Sequence, residues 1–175
     1  GSANQERTQH AEPGTLNPVV GQLRALEDAR KDGVIDLPGR ERLNVTNLHK
    51  VFWPALKLTK GDLLRYYAQV APHILPAVAD RPLVMKRFPN GVGGQPFYQH
   101  RAPAVPEGVR VETVGAAETR PQIVGGSLKA LLYMTQIAAI SQDPWFSRVQ
   151  TPEFADHAAL DEHWDLGKGL ADDVA

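Results

Sequence analysis

Apolar residues recur at helical spacing in three stretches of the chain and alternate with polar ones in the shorter runs between them. In "NPVVGQLRALEDARKDG", Asn17 is a helix-starting cap, Pro18 occupies the first helical position and Gly33 is a terminator, so the pattern predicts a helix over 17–33. Its valines and leucines form the packing stripe. The run "ERLNVTNLHKVFWP" predicts a short strand and a turn that ends near Trp53-Pro54. In "TKGDLLRYYAQVAPHIL", Thr59 and Asp62 have the spacing of a capping box. Leu63, Tyr66, Tyr67, Val70, Ala71 and Ile74 then fall on the face expected to meet a core, and Pro72 is expected to end or kink the helix.

Further along, "RPLVMKRF" reads as a strand, "NGVGG" as a turn and "PFYQHRA" as a second strand. The short runs "VRVETV" and "PQIVG" are further strand candidates. "SLKALLYMTQIAAIS" predicts a largely buried helix capped by Ser127. Helices mixed with short, mostly antiparallel strands define an α+β fold. Residues 1–16 are polar and aperiodic, a loose lead-in whose Gly1-Ser2 resembles a tag-cleavage scar.

The 175 residues, 42% of them apolar, suffice for one small domain, with 14 prolines and 15 glycines implying many turns. The absence of cysteine excludes disulfides and thiolate metal sites. No apolar run approaches the roughly 18 residues of a spanning helix, and no basic start leads into an apolar signal segment. The simplest expectation is a soluble, cytoplasmic protein without a membrane partner.

Charge is distributed unevenly beneath a formal net charge of -1. Between Asn47 and Arg101, eight basic residues face Asp62 and Asp80 alone, whereas between Gln150 and Ala175 seven acidic residues face Lys168 alone. A basic run of this kind suits a phosphate backbone. Lys50 and Lys60 flank a turn that leads into the Thr59-capped helix, where two ammonium groups and free helix-start amides can grip one phosphate. Two lysines ten residues apart also suit a solvated face. Lys86 and Arg87 end a strand and point to opposite faces, as DNA-backbone contacts or as ordinary edge-strand charges. Of Phe97 and Tyr98, one ring can stack on an exposed base while its neighbour packs inward; core packing is the plainer role for either.

The ordered series Lys50, "TKGD", "RPLVMKRFPNG" and "FYQHRAP" resembles the amino-terminal part of the polymerase domain of bacterial multifunctional DNA ligase D, a primase-like domain of nonhomologous end joining. The likeness extends more loosely through "SLKALLYMTQIAAISQDPWFSRVQTPEFADHAALD" and covers most of residues 43–161. It implies that Lys50 and Lys60 recognise a 5′-phosphate on the downstream side of a gap or break, that Phe97 and Tyr98 contact the template, and that Lys86 and Arg87 lie in the DNA-binding lobe. It also implies a complete domain that transfers nucleotides from NTP or dNTP to a DNA 3′ hydroxyl with Mn2+ or Mg2+. An end-joining protein is a further implied partner, and work at the bacterial nucleoid is the implied setting.

Two departures bear on catalysis. Asp161 stands at the first of two family aspartates, so it is the candidate catalytic and metal-binding residue, but His163 stands at the second, with Glu162 and Asp165 at different spacing. Upstream, Ser141 and Asp143 occupy positions where relatives often carry glutamate and histidine; Asp143 is expected in a solvent-facing turn or near a metal. The expected organisation is a lead-in over 1–16, the amino-terminal portion of a primase-polymerase-like domain over 17–161, and an acidic tail or continuation over 162–175. The sequence ends before the family's serine/histidine nucleotide motif and later aspartate, which implies a fragment incomplete for catalysis. The alternative is a noncatalytic DNA-end-binding or interaction module.

Overall fold

A computed structural model describes residues 17–115 and 120–158 and has the expected α+β architecture. The first helix, α1 (Pro18–Asp28), begins where expected. The Asn17 side chain accepts from the Val19 amide at 3.0 Å, and Val19, Val20 and Leu23 are buried. The helix stops at Asp28, not Gly33. Gly33 instead opens a strand, β1 (Gly33–Leu37), which pairs antiparallel with β2 (Glu41–Val45) across the turn at Pro38–Arg40. Leu26 presses on Gly33 so closely that an added Cβ would lie 2.7 Å from its Cδ2, which gives this glycine a packing role where the sequence suggested a helix stop. Ile35, Leu37, Leu43 and Val45 alternate inward from the hairpin into the core.

The single strand expected over 41–54 is two, because β3 (Val51–Trp53) follows β2 and pairs antiparallel with β4 (Leu58–Thr59). Helix α2 (Lys60–Val78) starts with the expected capping box: the Asp62 amide donates to Thr59 Oγ1 at 3.2 Å and the Thr59 amide to Asp62 Oδ2 at 2.7 Å. The helix neither ends nor breaks at Pro72; it runs through Pro72 and Pro76. A proline at 72 deprives the Ala68 carbonyl of its helical donor. Asn17 Nδ2 supplies one at 3.0 Å, so the residue that caps α1 also repairs α2.

Leu63 and Ala71 are buried as expected, and Tyr67, Val70 and Ile74 partly so, but Tyr66 is exposed. Leu64 and Ala68 take the most buried positions because α2 packs against both α1 and a third helix, α3 (Leu128–Gln136), which turns its inner face toward them. Ser127 caps α3 by accepting from the Ala130 amide at 3.1 Å. The helix expected to continue to Ser141 ends at Gln136. Ala138 adopts a left-handed conformation, and residues 139–144 form a strand instead.

Three strands build the central antiparallel sheet in the order β6-β5-β9: β5 (Leu83–Arg87), β6 (Phe97–Gln99) and β9 (Ala139–Pro144). A separate two-stranded pair joins β7 (Val111–Glu112) to β8 (Gln122–Ile123). The core lies between the β1–β2 hairpin, the three helices and the inner face of β5. No helix among the described residues is long and apolar enough to cross a membrane.

Candidate nucleic-acid interface

Lys50 and Lys60 are brought together by main-chain pairing. The chain turns at Asn47, whose carbonyl accepts from the Lys50 amide at 3.0 Å, and β3 then returns antiparallel to β4. The Lys60 amide closes the arrangement by donating to the Lys50 carbonyl at 2.8 Å. The expected free amides at the start of α2 are not there: the Gly61 amide donates to Leu48 and the Asp62 amide to Thr59 Oγ1, so all three opening donors are already used. An anion at this place would have to be met by side chains.

The two lysines differ in setting. Lys50 is exposed, whereas Lys60 is 5% exposed with Nζ donating to the Thr46 carbonyl at 2.8 Å. Burial, reinforced by the nearby charge of Lys50 and opposed by that of Asp32, pulls the Lys60 ammonium down from its ordinary 10.5 to about 8. Beside Lys50 lies an open depression lined also by Arg30, Lys31, Asp32, Asn47 and His49. Arg30 and Lys31 fall within the helix that the sequence predicts over 17–33, a place that gives them no binding role. They lie beyond α1 because Arg30 turns left-handed, its amide bonded to the Glu27 carbonyl at 3.0 Å. A basic pair directly after a helix of this length was the available signal.

Much of the basic run is spent inside the fold. Arg65 bonds Glu27 and Asp62. Arg81 is 4% exposed; it donates from Nε to Ala77 at 3.1 Å and from Nη1 to the carbonyls of Trp145 and Phe146 at 3.2 and 3.0 Å, and pairs with Asp156 at 2.5 Å. Hydrogen bonds from Arg148, then from Arg81, hold the Asp156 carboxyl down at about 2.

Lys86 and Arg87 stand on opposite faces of the sheet, as alternation requires. Each lies directly across from one ring of β6: Lys86 faces Tyr98, its Nζ 5.3 Å from the ring centroid, and Arg87 faces Phe97 at 5.1 Å. Arg87 also donates from Nε to the Ile137 carbonyl at 2.7 Å and from Nη1 to Gln99 Oε1 at 2.9 Å. These bonds anchor Arg87 to the fold and leave Lys86 the more available cation. Both Phe97 and Tyr98 are exposed, so neither takes the inward-packed place expected for one of the pair.

On β9, Ser141 pairs with Lys86 and Asp143 with Val84, on the Lys86 and Tyr98 face. Asp143 therefore lies on a strand and not in the expected turn, and its carboxylate accepts from the Ser141 hydroxyl. Among the described residues no three histidines or carboxylates gather into a metal-binding group, so those residues do not fit a Mn2+ or Mg2+ site by themselves. Asp161, the candidate catalytic and metal residue, lies outside the described residues, as do Glu162, His163 and Asp165.

Comparison with known proteins gives this arrangement a lineage. The family model described as "LigD, primase-polymerase domain" matches residues 59–162, more than half of the chain. The multifunctional non-homologous end joining protein LigD of Mycolicibacterium smegmatis is 41% identical over 59 residues, covering 34% of this chain and 8% of that protein. The LigD of Pseudomonas aeruginosa is 24% identical over 127 residues, covering 68% of this chain and 14% of that protein. The chain thus spans a small part of the curated relatives it matches. Among solved structures, the polymerase domain of Mycobacterium tuberculosis ligase D in complex with DNA shares 34% identity and a TM-score of 0.58, over 61% of this chain and 38% of that one. A match that takes in the Thr59 capping box, the β5–β6 hairpin and α3, on a shared fold, means that the chain belongs to the LigD primase-polymerase domain family.

Proposed function

We propose that the chain carries the DNA-end-binding portion of a bacterial end-joining polymerase domain, with residues 17–161 as its amino-terminal part, and that Lys50 and Lys60 receive a 5′-phosphate. The observation that carries this reading is the closeness of the two lysines: the Lys60 amide donates to the Lys50 carbonyl, and the buried Lys60 ammonium feels the charge of Lys50, which lines the open depression. Lys50 offers an exposed ammonium. Lys60, held near 8, gains from a neighbouring dianion because an opposite charge favours its protonated form. Arg30 and Lys31 add positive charge along the same depression. Lys86 attracts the backbone at the β5–β6 hairpin, Arg87 holds Phe97 in place, and the exposed rings of Phe97 and Tyr98 stack on template bases.

In the complete parent domain this portion positions a DNA end for nucleotide transfer from NTP or dNTP to a 3′ hydroxyl, in the bacterial cytoplasm and alongside an end-joining protein. Asp161 is the proposed catalytic and metal-binding carboxylate of that domain. Since His163 stands at the second family aspartate, a noncatalytic end-binding module is the second reading.

Titration of gapped duplexes with and without the 5′-phosphate, at one salt concentration, tests the phosphate site. Wild type should prefer the phosphorylated end, and the Lys50→Ala/Lys60→Ala protein should bind both ends alike. Equal affinities in wild type would reject the site.

A further inference from the structure

We propose that the open cavity between β6, β8 and the end of β9 binds an unpaired nucleobase, an inference that rests on the DNA-end reading above. The cavity, of about 480 Å3, is lined by Tyr98, Gln99, His100, Arg101, Gln122 and Trp145. That volume is in the range of small-ligand sites.

Three features point to a base. First, Gln122 is 2% exposed, yet its Oε1 has no hydrogen-bond partner. A buried amide oxygen without a donor is unfavourable, and because Gln122 lines the cavity, a turn of its side-chain amide toward a bound ligand N–H would remove the deficit. Second, Trp145 presents an aromatic wall on a fixed backbone: its amide donates to Pro82 at 2.9 Å and its carbonyl accepts from the buried Arg81 at 3.2 Å. Third, Tyr98 stands at the rim, 60% exposed, with the Lys86 ammonium beside its ring. The walls are also tied together, because the Ala102 amide after β6 donates to the Pro121 carbonyl before β8 at 2.8 Å.

Aromatic surface combined with a side-chain amide is the chemistry that recognises splayed-out bases in single strands. An amide oxygen accepts from an exocyclic amine while its nitrogen pairs with an adjacent ring acceptor, which favours adenine over a base that lacks the amine. His100 and Arg101 at the rim suit the phosphates on either side of such a nucleotide.

The test uses the full chain and a duplex with a recessed, phosphorylated 5′ end and a 3′ overhang of thymines. One adenine is walked through the overhang, then replaced at each position by unsubstituted purine, and affinities are measured at fixed salt. At one position adenine should bind about fivefold or more tighter than purine in wild type. Gln122→Leu should bring the two bases to equal affinity while keeping the preference for the 5′-phosphate, and Trp145→Ala should weaken both. The wild-type comparison needs no variant, so it stands even where a substitution unfolds the protein. Equal affinity for adenine and purine at every position, or discrimination that survives Gln122→Leu, overturns the base site while leaving the phosphate reading intact. Loss of phosphate preference in wild type counts against the DNA-end reading, and with it the base site.

Discussion

The amide of Lys60 donates to the carbonyl of Lys50 at 2.8 Å, so two lysines ten residues apart begin and end one closed turn while their ammonium groups sit in different environments. Lys50 is exposed and Lys60 buried against Thr46. This asymmetry makes the site sensitive to pH, since the buried partner titrates near 8.

The preference for a 5′-phosphate should therefore fall severalfold between pH 7 and pH 9, as Lys60 loses its proton. Affinity ratios for phosphorylated and unphosphorylated gapped DNA measured across that range check this. Lys60→Ala should flatten the profile; a flat wild-type profile would remove Lys60 from phosphate binding. The same shift has a consequence for folding. Between the folded value near 8 and the ordinary 10.5, the unfolded chain binds more protons than the native one, so the contribution of Lys60 to stability rises with pH through that window.

Lys86 and Arg87 should separate cleanly. Lys86→Ala should weaken DNA binding across sequences and reduce the slope of affinity against salt by about one counterion, as loss of a phosphate contact does. Arg87→Ala should chiefly destabilise the fold, by about 1–3 kcal/mol, because it removes donors from the Ile137 carbonyl and Gln99. Salt-dependent titrations and denaturant unfolding read the two effects. An unchanged slope for Lys86→Ala would put that side chain outside the DNA path.

Asn17 serves two helices, so its variants should show two losses. Asn17→Asp keeps an oxygen for the Val19 amide but removes the donor from the Ala68 carbonyl, whereas Asn17→Ala loses both. We expect Asn17→Ala to cost about 2 kcal/mol or more and Asn17→Asp about 1 kcal/mol. Replacing Pro72 by alanine restores the helical donor to Ala68, so in that background Asn17→Asp should cost markedly less. A double-mutant cycle by chemical denaturation measures the coupling.

In primer extension with Mn2+ or Mg2+ and nucleotide triphosphates, the 175-residue chain should bind a DNA end without extending it, because His163 stands at the second family aspartate. Incorporation that disappears in Asp161→Ala would overturn this expectation.

Local chemistry was legible from the sequence wherever a few neighbouring residues satisfy one another. The Asn17, Thr59–Asp62 and Ser127 caps lie within three residues of the amides they serve, and the strand pattern of 83–87 and 97–99 carries its own alternation, so these helices start and these strands form where they were expected. Tertiary structure decided whatever depended on a partner distant in the chain. Residues 139–141 have the composition of a buried helix, but β5 offers them main-chain pairing, with a register shift that skips Ile140; Ala138 takes the left-handed turn that frees them to use it, and its carbonyl accepts from Phe88 at 2.8 Å. The carbonyl that Pro72 orphans is satisfied by Asn17, 55 positions earlier. The candidate site divides the same way: the family resemblance, more than the spacing, pointed to Lys50 and Lys60 as a pair, but the burial of one, the use of the helix-start amides and the arrival of Arg30 and Lys31 beside the other follow from how α1, the β3–β4 pair and α2 pack. Burial is a property of what surrounds a residue, and in this chain those surroundings come from segments far away in the sequence.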